Sequence, residues 1–310
     1  MVWNKRRIVV LSSVLAIILV FAFFISSYIS QLNGFPYLSE VDENRGFTII
    51  HISDTQHLSQ HNKWGTFTTW LTSIKESYNV KAIIHTGDIV QNCDNTIEWE
   101  RANASMSVLV DGNVPYTWGT GNHDVNFTTM EYLGAKYTSF NTSTFDTEDY
   151  WLSSYDQQST AINFTHGSYK FIIINIAWHG NSSHIAWLNS ILETNKDANI
   201  IVATHSYLNK TGGYDLGLGG GKWELALLQI LDKNPNVIFT LNGHDSGIYN
   251  NTVKNREQIL FNCQGVNART ARIMNIDVTS GTVYVRTYME YSGSWDFSEK
   301  NMFNFKVNLG

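Results

Sequence analysis

The chain has 310 residues, room for one large domain or two small ones with an ample core in either case. Hydrophobic residues at 43% are ordinary for a globular protein, and charged residues at 15% are few, so Asn, Ser and Thr carry much of the polarity. A formal net charge of −6, with no Lys/Arg stripe, gives no indication of nucleic-acid binding.

The first segment is suited to lipid. Ile8–Ile29 carries no charge and consists mostly of Val, Leu, Ile, Phe and Ala. As a helix it spans roughly 33 Å, enough for a bilayer core. Lys5, Arg6 and Arg7 precede it and favour a cytoplasmic N-terminus. A cleaved signal peptide is the competing reading, but the run is longer than a usual apolar signal region and no small-x-small cleavage site follows. The expected organisation is a cytoplasmic tail (1–7), a transmembrane signal-anchor (8–29), a polar tether with Gly34 and Pro36 (30–46) and a body (47–310) outside the cytoplasm. The body is secreted if residues 1–30 are removed. Seven N-x-S/T sequons, at Asn103, Asn126, Asn141, Asn163, Asn181, Asn209 and Asn250, fit glycosylation there and equally fit chance in an Asn/Ser/Thr-rich chain. Cys93 and Cys263 are compatible with one disulfide or with two free thiols.

The body alternates strand and helix. Short apolar runs at Phe47–Ile52, Val80–His85, Pro115–Trp118, Ile200–Thr204 and Val237–Leu241 read as buried strands. Helices are expected around Trp64–Tyr78, around Trp99–Leu109 with Asp94 or Asn95 as cap, and at Ser182–Asn195 and Gly221–Leu231. Ala161–Phe164 with Tyr169–Ile176, and Ala271–Val278 with Thr282–Thr287, read as hairpins. An α/β half followed by antiparallel strands predicts an α/β (α+β) fold of two mixed sheets sandwiched between helices. The irregular, aromatic stretch Val125–Thr160 is expected to overhang the site as a lid or specificity insert.

Each of the five strand runs ends on residues that bind metals. They deliver Asp54-Thr55-Gln56, Gly87-Asp88, Gly121-Asn122-His123-Asp124, a lone His205, and Gly243-His244-Asp245-Ser246. In α/β sheets, ligands gather beyond the carboxyl ends of strands, where loops diverge. Carboxylate, carboxamide and imidazole together suit borderline divalent metals such as Mn, Fe, Co or Zn. A shared carboxylate can bridge two ions at roughly 3.5–4 Å, the separation used in phosphate-ester hydrolysis.

The order D-x-(H/Q), GD, GNHD, H, GH resembles the calcineurin-like metallophosphoesterase family over about Phe47 to Cys263. The resemblance implies that family's fold, two divalent ions and a phosphate mono- or diester substrate attacked by a metal-bound hydroxide. It implies that Asp88 bridges the ions, that Asn122, His205 and His244 complete one metal site, and that Asp54 and Gln56 bind the second ion. His123 would protonate the leaving oxygen or bind the substrate, with Asp124 orienting its ring.

Two departures fall on one half-site: Gln56 stands where the family usually has His, and Ser246 where it has the second His of G-H-x-H. Some members carry Gln at the first position, so the loss at 246 matters more, and it shifts that half towards harder ions such as Mg²⁺ or Mn²⁺. His57 and Asp245 would point away from it on extended backbone, leaving a water to substitute. A catalytically degenerate surface binding module on the same fold is therefore the alternative function. Elsewhere, His51 and His85 are expected to be packed within strands, and His166, His179 and His184 to lie in turns or at the surface. Most Trp and Tyr are expected in the core, and Leu216–Gly221 is expected as a flexible rim of the site.

Overall fold

The computed structural model describes residues 43–215, 221–262, 264 and 269–310. The expected tail, anchor and most of the tether therefore lie outside the described residues, as do Cys263 and most of the Gly-rich rim. No helix among the described residues is long and apolar enough to cross a membrane.

In chain order the strands are β1 (Gly46–Ile52), β2 (Val80–His85), β3 (Tyr116–Trp118), β4 (Trp151–Tyr155), β5 (Ser159–His166), β6 (Tyr169–Ile176), β7 (Asn199–Thr204), β8 (Val237–Asn242), β9 (Gly247–Val253), β10 (Arg256–Asn262), β11 (Thr270–Asp277), β12 (Thr282–Met289), β13 (Ser294–Asp296) and β14 (Met302–Lys306). The helices are α1 (Gln56–His61), α2 (Phe67–Ser73), α3 (Thr96–Asp111), α4 (Ser182–Thr194) and α5 (Lys222–Leu231). One sheet runs β13-β12-β11-β1-β2-β3, with β14 added to β12, and the other runs β4-β5-β6-β7-β8-β10-β9. Both are mixed. Strands β1, β2 and β3 are parallel neighbours in the first sheet, as are β6, β7, β8 and β10 in the second.

Period-two alternation decides which layer each side chain enters. In β1, Phe47 and Ile49 face the layer between the sheets, whereas Ile50 and Ile52 pack outward with Leu58, Phe67, Leu71 and Trp99 of the covering helices. In β7, Ile201 and Ala203 join the inner layer while Ile200 and Val202 meet Leu188, Leu192 and Leu227 of α4 and α5. The result is helix, sheet, sheet, helix. Each buried aliphatic or aromatic side chain contributes about 1.5–3 kcal/mol to holding these layers together.

The expected helix at Trp64–Tyr78 is shorter, ending at Ser73, because residues beyond it wind through tight turns (Lys75 N to Thr72 O, 3.2 Å) to a left-handed Asn79 at φ 46°. The stretch 125–160 differs from a lid. Tyr132, Phe140 and Phe145 are buried, and Phe140 and Phe145 pack on Trp118, so most of it completes the core. The run 126–131 is exposed throughout, with Phe127 at 62% set edge-on against Trp178. His166 and His184, expected at turns or the surface, are buried. His166 packs on the Phe47 ring, and His184 forms the reciprocal cap of α4 with Asn181. Four sequon asparagines accept from the main chain two residues on, at Thr128, Ser143, Ser183 and Thr211 (2.9–3.0 Å). The N-x-S/T pattern at these positions is that of Asx turns.

Candidate metal centre

Five strand exits converge at one edge of the sandwich, β1, β2 and β3 from one sheet and β7 and β8 from the other. Bonds between the sheets fix this edge: Asn175 Nδ2 of β6 donates to His85 O (2.8 Å), and His205 Nδ1 lies 2.7 Å from Thr86 O. Asp54, Asp88 and His244 all hold left-handed backbone, at φ 54°, 55° and 70°. Such conformations cost on the order of 1–3 kcal/mol each and persist where the surroundings impose them. Glycines make the crowding possible. A Cβ on Gly121 would lie 2.2 Å from Asp88 Oδ1, and one on Gly243 would lie 2.4 Å from Asp54 Oδ2.

Three further donors crowd one imidazole nitrogen. His205 Nε2 is 3.0 Å from Asn122 Oδ1, 3.1 Å from His244 Nδ1 and 3.3 Å from Asp88 Oδ1. Donors about 3 Å apart match a shared shell of roughly 2.0–2.2 Å radius. Asp54, Asp88 and His205 each offer a ligand atom, and these lie within 4.8 Å of one another. The second half is sparser. Asp54 Oδ2 accepts from Ser53 Oγ (2.5 Å) and His244 N (3.2 Å), and Gln56 Nε2 donates to Asp88 Oδ2 (3.0 Å). Asp54 Oδ1 and Gln56 Oε1 are buried with no hydrogen-bond partner among the described residues. Two orphaned oxygens beside a shared carboxylate fit a cation, since unpaired buried acceptors are otherwise costly.

The charges agree. Burial, with the neighbouring Asp88, pushes the Asp54 carboxyl up to about 7, against the pull of His205. Burial would depress His205, but the Asp88 carboxylate outweighs it and lifts the imidazole to about 9. Burial likewise acts to raise Asp88, yet His205 and His123 hold it below the usual carboxylate range. A buried cluster of carboxylates is thus kept neutral in part by protons, which a divalent ion replaces.

His123 sits beside this centre, its main-chain N donating to Asp88 Oδ1 (2.9 Å). Its ring is not oriented by Asp124, contrary to expectation. Asp124 is buried, with Oδ1 accepting from Ile89 and Val90 N and Oδ2 from Gly121 N, so its oxygens are spent on loop backbone. His123 Nδ1 lies instead 2.8 Å from Gln91 O. That loop is held by Glu98 of α3, whose carboxylate accepts from the main-chain N of Gln91 and Asn92 (2.7 and 2.9 Å). The Asn95–Glu98 spacing is a helix-start signature, readable in advance, whereas Gln91 reaches His123 Nδ1 with its carbonyl and its side-chain amide (2.8 and 3.1 Å) from 32 positions away, a contact that leaves no sequence signal.

His57 stacks on His61, Asp245 accepts from Lys210 N, and Ser246 is exposed, so none of the three joins the donor set. His51 and His85 are packed as expected. His51 Nε2 is 2.9 Å from Thr86 Oγ1 and His85 Nε2 is 2.8 Å from Thr55 Oγ1. Burial, helped by His205, pushes His85 down to about 3, so it is a neutral support beneath the Asp88 loop.

The family model for calcineurin-like phosphoesterases matches residues 47–247. The chain belongs to the calcineurin-like phosphoesterase family. The uncharacterized protein YvnB of Bacillus subtilis (strain 168) is 27% identical over 267 residues, 79% of this chain and 20% of YvnB, so the chain spans about a fifth of the length of that curated relative. Among solved structures, a dimetal phosphatase from Danio rerio superposes with a TM-score of 0.54 at 11% identity, covering 85% of this chain and 100% of that one. Purple acid phosphatase PPD1 from yellow lupin (Lupinus luteus) seeds gives 0.54 at 11%, covering 84% and 54%. GAP50, described as the anchor in the inner membrane complex of Plasmodium, gives 0.53 at 14%, covering 86% and 90%. These likenesses are of fold.

Proposed function

We propose that this chain is a metal-dependent phosphoesterase hydrolysing phosphate mono- or diesters. The observation that carries the reading is the set of donors gathered round His205 Nε2 with His123 at its side. Asp88, Asn122, His205 and His244 would hold one ion, and Asp54, Gln56 and Asp88 would hold a second of harder character, Mg²⁺ or Mn²⁺. Divalent ions there neutralise phosphoryl charge and lower the pKa of water towards neutrality. Asp88 divides its oxygens, Oδ1 facing the His205 side and Oδ2 the Gln56 side, so one carboxylate sets the spacing of both halves. His123, its Nδ1 held by the Gln91 carbonyl and side-chain amide (2.8 and 3.1 Å), would use Nε2 to protonate the leaving oxygen.

Purified full-length chain in detergent with Mn²⁺ is expected to hydrolyse an aryl phosphate monoester or its diester. His123→Ala should lower kcat by about 10²–10⁴-fold, and Asp88→Ala should abolish turnover. Unchanged rates in both variants overturn the reading. We also place the body outside the cytoplasm on an N-terminal anchor, from the uncharged run 8–29 behind Lys5, Arg6 and Arg7. Retention of the chain in membranes through an alkaline wash supports this, and release into the wash refutes it.

A degenerate binding module is the second reading, favoured by Ser246 lying outside the donor set and by a similar fold in a protein described as an anchor. Metal analysis separates them: two ions per chain support the enzyme, and none supports the module.

A further inference from the structure

The two imidazoles of the donor set face it through different nitrogens. His205 presents Nε2 and turns Nδ1 to Thr86 O (2.7 Å). His244 presents Nδ1, 3.1 Å from His205 Nε2, and turns Nε2 to Asp215 Oδ2 (3.3 Å). A neutral imidazole has one N–H and one lone pair. In His244 the nitrogen that faces the Asp215 carboxylate must carry the proton, and the other is left to bind. His244 is thereby held as the Nε2–H tautomer, whereas His205, with oxygens facing both of its nitrogens, keeps the Nδ1 proton on Thr86 O and gives up the one on Nε2 when an ion binds.

The partners differ in kind. Thr86 O is main chain, which no substitution removes, whereas Asp215 is a side chain. Its position is itself fixed. Asp215 N donates to Tyr207 O (2.8 Å), and Ser206 Oγ donates to Asp215 Oδ2 (2.8 Å). With Ser246 outside the donor set, His244 is the one histidine that the last motif contributes there, and its ring orientation depends on this carboxylate.

Resting on the metal-site reading above, we propose that Asp215 is the positioning residue of His244, fixing its Nε2–H tautomer so that Nδ1 is presented to the ion. Without that acceptor the proton distributes over both nitrogens, and the Nδ1–H fraction cannot bind. Removal of such an outer partner weakens metal binding by about 10–100-fold.

The test uses full-length protein in detergent, with Zn²⁺ and Mn²⁺ titrated alone against a competing fluorescent chelator, and ¹⁵N-histidine NMR of the metal-free protein. His244→Gln assigns the signal. Wild type should show Nε2–H at His244. Asp215→Ala should mix the tautomers at His244, leave His205 unchanged and weaken metal binding by the stated factor. Asp215→Asn retains an oxygen acceptor, should keep the tautomer in large part, and serves if the alanine variant does not fold. A wild-type His244 protonated on Nδ1, or a His244 spectrum and affinity both untouched by Asp215→Ala, overturns the proposal. A wild type that binds neither metal while its tautomer responds to Asp215→Ala overturns the metal reading and leaves the positioning role standing.

Discussion

Single atoms decide the geometry of this centre. Gly121 shows it most directly, because its missing Cβ leaves the space that Asp88 Oδ1 fills. Gly121→Ala must push that carboxylate or the loop aside, an overpacking cost of about 1–3 kcal/mol. The expected result is a lower melting temperature together with weakened binding of Mn²⁺, measured by calorimetry, and unchanged binding would show that the loop absorbs the methyl harmlessly. The donor residues were legible in the sequence because each follows an apolar run and each is chemically a ligand. The role expected for Asp124 was not met, because a carboxylate beside a histidine in sequence can serve the backbone instead, here three N–H groups. Gln91 and Asp215 were illegible for a related reason. One meets His123 from 32 positions away and the other approaches His244 from 29, through a fold that no spacing rule describes.

The elements were easier to read than the contacts between them. Strands and helices with clean alternation or a cap, such as β2 and α3 with its Asn95 cap, fell where periodicity placed them. The stretch 125–160 did not, because its aromatic residues are spaced irregularly and reach the core from short turns. Helix α5 contributes one group whose cost depends on pH. Glu224 is buried, and burial raises its carboxyl to about 7 from an ordinary 4.5, although Ser206 Oγ lies 3.1 Å from it. The folded state therefore holds this proton more firmly than the unfolded chain. Below about 4.5 both states are protonated and stability is unaffected; between 4.5 and 7 stability falls as pH rises; above 7 the loss is complete. Glu224→Gln should flatten the melting profile across that window and gain relative stability at pH 8. Parallel profiles for the two proteins would show that Glu224 is solvated as well when folded as when unfolded.

At the scale of the molecule, the layer order was legible because a mixed α/β pattern with buried strands has few compact solutions. What sequence could not supply was which faces of the two sheets meet, since Val, Ile and Phe satisfy either layer. A ligand that binds only the folded state adds RT ln(1 + [L]/Kd), about 2.7 kcal/mol at a hundredfold excess over Kd. For a body of this size the melting temperature should rise on the order of 5–10 °C with Mn²⁺, and a chelator should reverse it. No shift would mean that the centre holds no metal in solution.

The donors come from both sheets, and that arrangement ties the site to residues that never touch it. Asp54, Asp88 and Asn122 travel with one sheet, and His205 and His244 with the other. Their mutual distances therefore measure the offset between the sheets as the jaws of a caliper measure a gap. A change in the inner layer, at Phe239 or Ile201 for instance, that tilts one sheet by a few tenths of an ångström would open the jaws before it exposed any core. Metal affinity should therefore report on how well this sandwich is packed.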